Sequence, residues 1–404
     1  LCRVFYCFRE REILNGFSLF PSGFEKLSDN DLLINRHGMS LNTEKWGQFD
    51  CSTFSKDDVV LLIDGDWLAF SSCSNEMKRQ VSFTYGGVTQ LFDGCYTEMK
   101  LFCERNNIPY KAEEGRKVQF NHANAVNFAK ASCKRKIHKA IKATGASKVV
   151  IFCGSSGNHR NTIKLPKLDD HHYYRYKGHR DVGWIPETLK TVKSWLMNTW
   201  SSHWAVGEEA DDCLTITKKS LDDRGIMCYL HGIDKDFNGE QIGGLYLVGH
   251  HENPVYFEDT PENRLGWVEI EKTKGGGEKM KGHGAKFLCY QILCSDDADN
   301  YSAKKALKVL GTLKTFSNNQ CKKYLDLFNT EQELWQGVVD HFEKHLPPVF
   351  EYVDCFDNKH TCTPVDLLNV FYQCAKMREY KDHTPDIFSD KLIPFGVIVN
   401  AVNR

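Results

Sequence analysis

The stretch that most constrains this chain is Val59–Phe70, VVLLIDGDWLAF. Five consecutive apolar residues, Val59 to Ile63, lead into Asp64, Gly65 and Asp66, after which the apolar character resumes. A short, uninterrupted apolar run rich in β-branched residues reads as a strand buried on both faces, the usual middle of a parallel sheet. Its carboxyl end carries two acids separated by glycine. In open α/β sheets ligands bind at that end, and a glycine lets the backbone approach a ligand closely. Carboxylates at the end of a buried strand need a partner, and a divalent cation is one. A turn or a helix cap uses the same residue types. The recurrence of similar acidic clusters downstream favours the ligand site.

The chain has 404 residues, enough for one large domain or two to three of ordinary size. Hydrophobic residues are 41% and charged residues 26%, the balance of an ordinary globular protein. A net charge of −1 excludes a uniformly basic nucleic-acid binder and leaves room for one whose charge is segregated. No apolar run approaches the ~18–20 residues of a membrane span, so no membrane partner is expected. The opening LCRVFYCFREREILNGF is a poor secretory signal, because charges at Arg9–Arg11 interrupt it. The sixteen cysteines include no CxxC pair, which removes zinc-ribbon spacing. Cys153 in VVIFC and Cys228 in IMCYL stand at core positions, as reduced thiols of an intracellular protein do.

Residues 1–56 read as an irregular extension outside the core. A hairpin (QVSFTY-GG-VTQLF) and a helix from Cys95 to Arg105 follow the first strand. Gly115–Lys142 holds eight basic residues and no acid, with an apolar stripe at helical spacing. It is expected to be an amphipathic helix whose cationic face, including Lys134 and Arg135, is either solvated or turned to phosphate. KVVIFC (Lys148–Cys153) is a second core strand. After it comes a polar segment in which Arg160, Lys164, Lys167, Arg175, Lys177 and Arg180 interleave with His171, His172, Tyr173, Tyr174 and Tyr176. Interleaved cations and aromatics suit single-stranded nucleic acid; a flexible loop or a histidine zinc site is the plainer alternative. Pro186–Trp204 is predicted helical, Ile226–Phe237 contains a third strand and Leu245–Val248 a fourth. Lys272–Lys286, KTKGGGEKMKGHGAK, reads as a mobile basic loop or a linker. Phe287–Leu293 is a helix, and the remainder is mostly helical in pattern.

The acids fall in four groups where a strand or helix meets a loop: Asp64 and Asp66; Glu208, Glu209, Asp211 and Asp212; Asp234 and Asp236; Asp296, Asp297 and Asp299. Strand ends of an α/β sheet converge on one edge, so these groups can share a cleft. Carboxylates crowded within a few ångströms repel one another unless cations neutralise them, and hard divalent ions with oxygen ligands do so. Two such ions activate a water and stabilise the leaving oxygen in phosphodiester cleavage without a side-chain nucleophile.

IDGDW, GEEADD, IDKDF and SDDADNY, with YKGHR (Tyr176–Arg180) between the first two, resemble in order and relative spacing the flap endonuclease/5′-exonuclease family, most closely its bacteriophage 5′→3′ exonuclease branch. The resemblance covers about residues 59–311. It implies an α/β fold with a central mostly parallel sheet flanked by helices (a PIN/FEN-like nuclease core, 57–290), an arch-like basic segment at about 155–185, and a helical carboxyl-terminal DNA-binding region over 291–404. It implies two Mg²⁺ or Mn²⁺ ions, the first held by Asp64, Glu209, Asp211 and Asp212, the second by Asp234, Asp236, Asp296 and Asp299. Lys177 and Arg180 would be the catalytic cations, and Arg160, Lys164, Tyr174, Tyr176, Lys134, Arg135 and Lys304 the DNA contacts. The expected partner is DNA with 5′ ends or 5′ flaps, or an RNA–DNA hybrid. The protein would act as a monomer inside the cell, in the host cytoplasm if it is of phage origin, in DNA replication. Two features depart from the pattern: no acid occurs from Cys153 to Leu168, where the family places one after this strand, and the glycine-rich helix–hairpin–helix signature is reduced to YSAKKALKVLG. A PIN-like ribonuclease and a catalytically impaired DNA-binding protein are the alternative readings.

Overall fold

The computed structural model describes residues 49–400 apart from 75–76, 94–95, 111–114, 122–123, 157–158, 169–174, 179–184, 252 and 274–276. β1 (Val59–Asp64) runs directly into α1 (Gly65–Ser74). β2 (Met77–Tyr85) and β3 (Val88–Asp93) precede α2 (Tyr96–Arg105), β4 (Arg116–Asn121), α3 (Ala125–Thr144) and β5 (Lys148–Ser156). After α4 (Leu189–Thr199) come β6 (Ser202–Val206), α5 (Ala210–Asp223), β7 (Met227–Gly232), β8 (Gly243–Leu247) and β9 (Val255–Phe257). Next are α6 (Pro261–Leu265), β10 (Trp267–Lys272), β11 (Glu278–His283), α7 (Gly284–Leu293), β12 (Ser295–Asp296) and β13 (Tyr301–Ser302). The last elements are α8 (Ala303–Val309), α9 (Asn318–Leu325), α10 (Glu331–His345), β14 (Phe350–Val353), β15 (Lys359–Cys362) and α11 (Pro364–Ala375). Two units emerge, one built from Gly65–Ala140 and Arg180–Ser202, the other from Glu44–Asp64, Ile141–His179 and His203–Arg404.

In the first unit β3, β2 and β4 form a three-stranded antiparallel sheet. Gly86 and Gly87 make its two-residue turn with φ of 58° and 81°, a conformation that strongly favours glycine. The expected helix over 115–142 is therefore half right. Arg116 and Lys117 belong to β4, and the helix starts at Ala125, beyond Asn121 and the undescribed residues 122–123. On α3, Lys136 donates to Ser71 and Ser72 at 2.7 and 3.1 Å, while Lys130 and Lys134 lie 5.7 Å from the Trp195 ring. Lys134 and Arg135 remain exposed. Asp66 pairs with Lys193 at 2.6 Å.

The second unit holds a six-stranded sheet in the order β6-β5-β1-β7-β8-β9. β1 lies parallel between β5 and β7, β7 is parallel to β8, and β9 closes the edge antiparallel. The sheet is mostly parallel, as the apolar runs require. Val60–Ile63 are fully buried, each such side chain contributing about 1.5–3 kcal/mol. α5 packs Cys213, Leu214 and Leu221 on Val60, Leu62, Val150 and Phe152. β6 was missed inside an expected helix. SHWAV is a short strand at the sheet's edge, and its two polar residues followed by three apolar ones show no period-2 alternation to mark it.

Three further expectations are corrected. Of the amino-terminal extension, 1–48 lies outside the described residues. Phe49, Cys51 and Phe54 join the core beneath the sheet, and Arg224 clasps the carbonyls of Cys51 (2.5 Å) and Phe54 (2.7 Å). The glycine- and lysine-rich segment is a hairpin rather than a loop: β10 and β11 pair from Trp267↔His283 to Lys272↔Glu278, and Thr273 N donates to Gly277 O at 2.7 Å. No domain boundary falls near 290, because α7 is at the centre of one hydrophobic cluster with α8–α11, including Trp335, Phe342, Phe371 and Tyr372. Within that cluster Ile163, Leu165 and Tyr176 are also buried. Lys167 N donates to Val353 O and Cys355 N to Leu165 O, at 2.8 and 2.9 Å. The described part of the supposed arch is thus packed on the carboxyl-terminal core, while 169–174 and 179–184, with Tyr174 and Arg180, lie outside the described residues.

Candidate metal-binding active site

All four elements that deliver acids end at one place in the second unit. Asp64 terminates β1 opposite Phe152, and it is 1% exposed. Its neighbour β7 ends in Gly232, where an added Cβ would sit 3.4 Å from Asp64 Cβ and 3.1 Å from Phe237 Cε2. Glycine is used here for close approach. The chain then turns, Asp236 N donating to Asp234 Oδ1 at 2.9 Å, so both carboxylates stay at the strand mouth. Glu209 is the N-cap of α5, with Asp211 and Asp212 in its first turn; the helix's positive end favours acids there.

SDDADNY folds back on itself. Asp296 pairs with Tyr301 across the β12–β13 bridge, Ala298 N donates to Asp296 Oδ1 (3.0 Å) and Asp299 N to Asp296 O (3.2 Å), and Asn300 adopts φ 62°. Asp296 and Asp299 then face Asp236, and one carboxylate oxygen from each lies within 4.8 Å of the others. Asp297 is exposed. The YKG turn is fastened to this loop, Lys177 N donating to Asp299 O and Asn300 Nδ2 to Arg175 O, both at 2.8 Å. Lys177 itself has φ 51°.

The electrostatics follow from the crowding. Burial, with Asp64, Asp234 and Glu209 beside it, pushes the Asp211 carboxyl well above the usual carboxylate range, against Lys177. Burial and then Asp234, Asp296 and Asp299 do the same to Asp236, against Lys235. Two overlapping groups of like charge result, Asp64/Glu209/Asp211/Asp234 and Asp234/Asp236/Asp296/Asp299. Built-in cations offset part of the repulsion. Lys177 contacts Glu209 and approaches Asp299 at 3.8 Å, and Lys235 pairs with Asp296 at 2.5 Å. Gln291 donates to Asp236 at 2.6 Å and Tyr176 to Asp299 at 3.1 Å.

Asp212 and Arg160 are placed differently from the sequence expectation. Arg160 is 2% exposed and grips Asp212 with both terminal nitrogens (2.7 and 2.9 Å), reaching Glu209 (2.9 Å) and Lys376 O (2.9 Å) besides. Although burial pushes the Asp212 carboxyl upward, this guanidinium outweighs it and holds the group well below the usual range. Asp212 is thus committed to Arg160 and to Arg378 N, at 3.1 Å, and Arg160 is no surface contact for DNA. Tyr176, expected to stack on bases, is 4% exposed with its hydroxyl turned to the acids. His159 lies 3.8 Å from Asp212, but burial and Arg160 push it down to about 3, so it is neutral at pH 7. Lys164 is exposed and Lys304 half-buried. Cys374, Ala375 and Met377, which the sequence reading passed over, line the small cavity formed with Glu209, Asp211, Asp234, Asp236 and Lys177. Cys374 and Ala375 end the amphipathic helix α11 and Met377 lies just beyond it, and none carries a sequence signal. The donor set, carboxylate oxygens only, fits a hard divalent ion better than a soft metal.

Fold and site together define an α/β protein with an acid-lined cleft at the carboxyl ends of its parallel strands. No family model matches the sequence, and no curated protein is similar to it. Among solved structures it is similar to the T5 D15 protein co-crystallised with metal ions, at 13% identity over 72% of this chain and 80% of that one, with a TM-score of 0.39. It is also similar to a T5 5′-exonuclease variant (10% identity, 80% and 88%, TM-score 0.39). A third is the bacteriophage T5 D15 flap endonuclease in a pseudo-enzyme–product complex with DNA and metal ions (12%, 72% and 80%, 0.39).

Proposed function

We propose that this protein is a divalent-metal-dependent phosphodiester hydrolase acting on DNA at 5′ ends or 5′ flaps. The observation that carries the reading is the convergence of Asp64, Glu209, Asp211, Asp234, Asp236, Asp296 and Asp299 from separate elements into one cleft, at a charge density that needs cations. Asp64, Glu209 and Asp211 would hold one Mg²⁺ or Mn²⁺, and Asp236, Asp296 and Asp299 a second, with Asp234 between them. When bound, such ions supply a water of lowered pKa and neutralise charge on the leaving oxygen. Lys177 counter-charges Glu209 and Asp299 and stands where it can turn to a scissile phosphate. Arg180 keeps its proposed role from the YKGHR motif. Tyr176 and Asn300 hold the YKG turn to the Asp299 loop, and Arg160 fixes the first turn of α5 so that Asp211 and Glu209 face the cleft. The polarity and flap preference rest on the motif order alone.

The test is cleavage of a 5′-labelled flap beside a 3′ flap, a single strand and the RNA counterpart, with Mg²⁺, Mn²⁺ or EDTA. Metal-dependent cleavage at the 5′ flap junction is expected. Asp64→Asn and Asp211→Asn should keep the fold and DNA affinity while slowing cleavage by at least about 100-fold. Parent-like turnover in either variant removes these residues from the chemistry.

A further inference from the structure

A second hollow, away from the acids, lies in the carboxyl-terminal part of the second unit. It has a volume of about 450 Å³ and is lined by Thr312, Lys314, Phe316, Tyr324, His341 and Lys344 among others. That is enough space for a small organic ligand. Its wall is aromatic: the His341 ring stands 4.7 Å from Phe316, 5.4 Å from Tyr324 and 4.9 Å from His345. His341 is 5% exposed and Phe316, Tyr324 and His345 are half-buried, so ring surface faces the opening. Burial and His345 push His341 down to about 4, which makes the wall neutral at pH 7. The rim is cationic. Lys314 and Lys344 are exposed, and among the described residues neither has an ion-pair partner; Asp340, the acid of the lining, accepts from Gln336 at 2.8 Å. The frame is fixed, because Thr312 N donates to His345 O at 2.9 Å and a Cβ on Gly311 would meet the same oxygen at 2.0 Å. From Ala303 to Leu325 the sequence carries Lys304, Lys305, Lys308, Lys314, Lys322 and Lys323 and no acid.

We infer that this hollow binds a nucleotide, its base against the Phe316–Tyr324–His341 wall and its phosphate on Lys314 and Lys344. Aromatic rings accept any base face, and ammonium groups at the rim neutralise one phosphate. Neither a plain apolar ligand nor inorganic phosphate uses both halves of the site. The nucleotide is either free or part of a strand.

The test uses the full chain in EDTA, so that cleavage cannot intervene, with dTMP, thymidine and fluorescein-labelled (dT)8 as probes. Ligand-observed NMR follows the small probes and anisotropy follows the oligonucleotide. Lys314→Ala/Lys344→Ala should weaken binding about tenfold and lower the salt slope for (dT)8 by about 0.7, from the one phosphate the two ammonium groups neutralise. Phe316→Leu, which leaves the charges in place, should weaken it severalfold with an unchanged salt slope. Loss of dTMP binding in the double variant supports a free-nucleotide site, and loss confined to (dT)8 supports a nucleotide within a strand. Equal affinities of parent and both variants for both probes overturn the inference, as does thymidine binding as tightly as dTMP. Since no metal or turnover is involved, the result stands whether or not the acidic cleft cleaves DNA.

Discussion

Arg160 gives the sharpest test of the site's architecture, because sequence and structure assign it opposite duties. As a DNA-facing cation its replacement would cost little stability, since exposed ion pairs are worth about 0.2–1 kcal/mol. In the structure it is buried with three charge-assisted contacts, two to Asp212 and one to Glu209. Arg160→Met fills similar volume but leaves Asp212, which is fully buried, without its cation. Removing one partner of a buried pair costs about 3–5 kcal/mol. The pH dependence has a definite sign. Asp212 is depressed in the folded protein, so its contribution is present above the ordinary carboxylate range and is lost on acidification. In the variant, burial without Arg160 raises the same group, and protonation relieves the penalty. The gap between parent and variant should therefore be widest near pH 8 and shrink toward pH 5. Urea unfolding followed by circular dichroism across that range measures it. The double variant Arg160→Met/Asp212→Leu should recover much of the loss, because no charge is stranded. A loss under about 1 kcal/mol for Arg160→Met, flat with pH, or a double variant as weak as the sum of the singles, would refute the buried-pair account.

Mg²⁺ at 100 times its dissociation constant should stabilise the parent by about 2.7 kcal/mol, seen as a rise in Tm, and Asp234→Asn/Asp236→Asn should lose most of it; an undiminished rise would contradict the shared site. Glu240 is pulled down to about 2, its burial outweighed by Lys376 and Lys391, so Glu240→Gln should cost up to about 3 kcal/mol at pH 7, because half-buried Lys391 loses its carboxylate while buried Lys376 keeps only Glu379. The parent should keep that stability above about pH 4.5 and lose it as pH falls toward 2, a loss the variant cannot show in an acid titration. Gly232→Ala presses on Phe237 and Asp64, and a denaturation curve should show about 1–3 kcal/mol lost to overpacking; an unchanged midpoint would mean the strand ends are not tightly juxtaposed.

The local chemistry of the acids was legible in the chain itself. Five apolar, β-branched-rich residues before Asp64 read as a strand buried on both faces, and a parallel sheet puts such strand ends on one edge, so Asp64, Asp234 and Asp236 can be expected to share a cleft from the sequence. Asp211 in a first helical turn and the tight DADN turn are likewise local matters of capping and hydrogen bonding. What the sequence left open were the long-range pairings, which have no periodicity to betray them. Arg160 looked like every other cation in its segment, and only the approach of α5 and of Lys376–Arg378 from more than 200 positions away made it the buried counter-charge of Asp212. Lys272–Lys286 read as a loop because glycine and lysine carry weak strand propensity; cross-strand pairing from Trp267↔His283 to Lys272↔Glu278 decided otherwise. The sequence thus determined which groups carry charge and where strands end. Tertiary structure alone decided which charges are spent on each other and which face the cleft, because that depends on burial, and burial is a property of the packed whole.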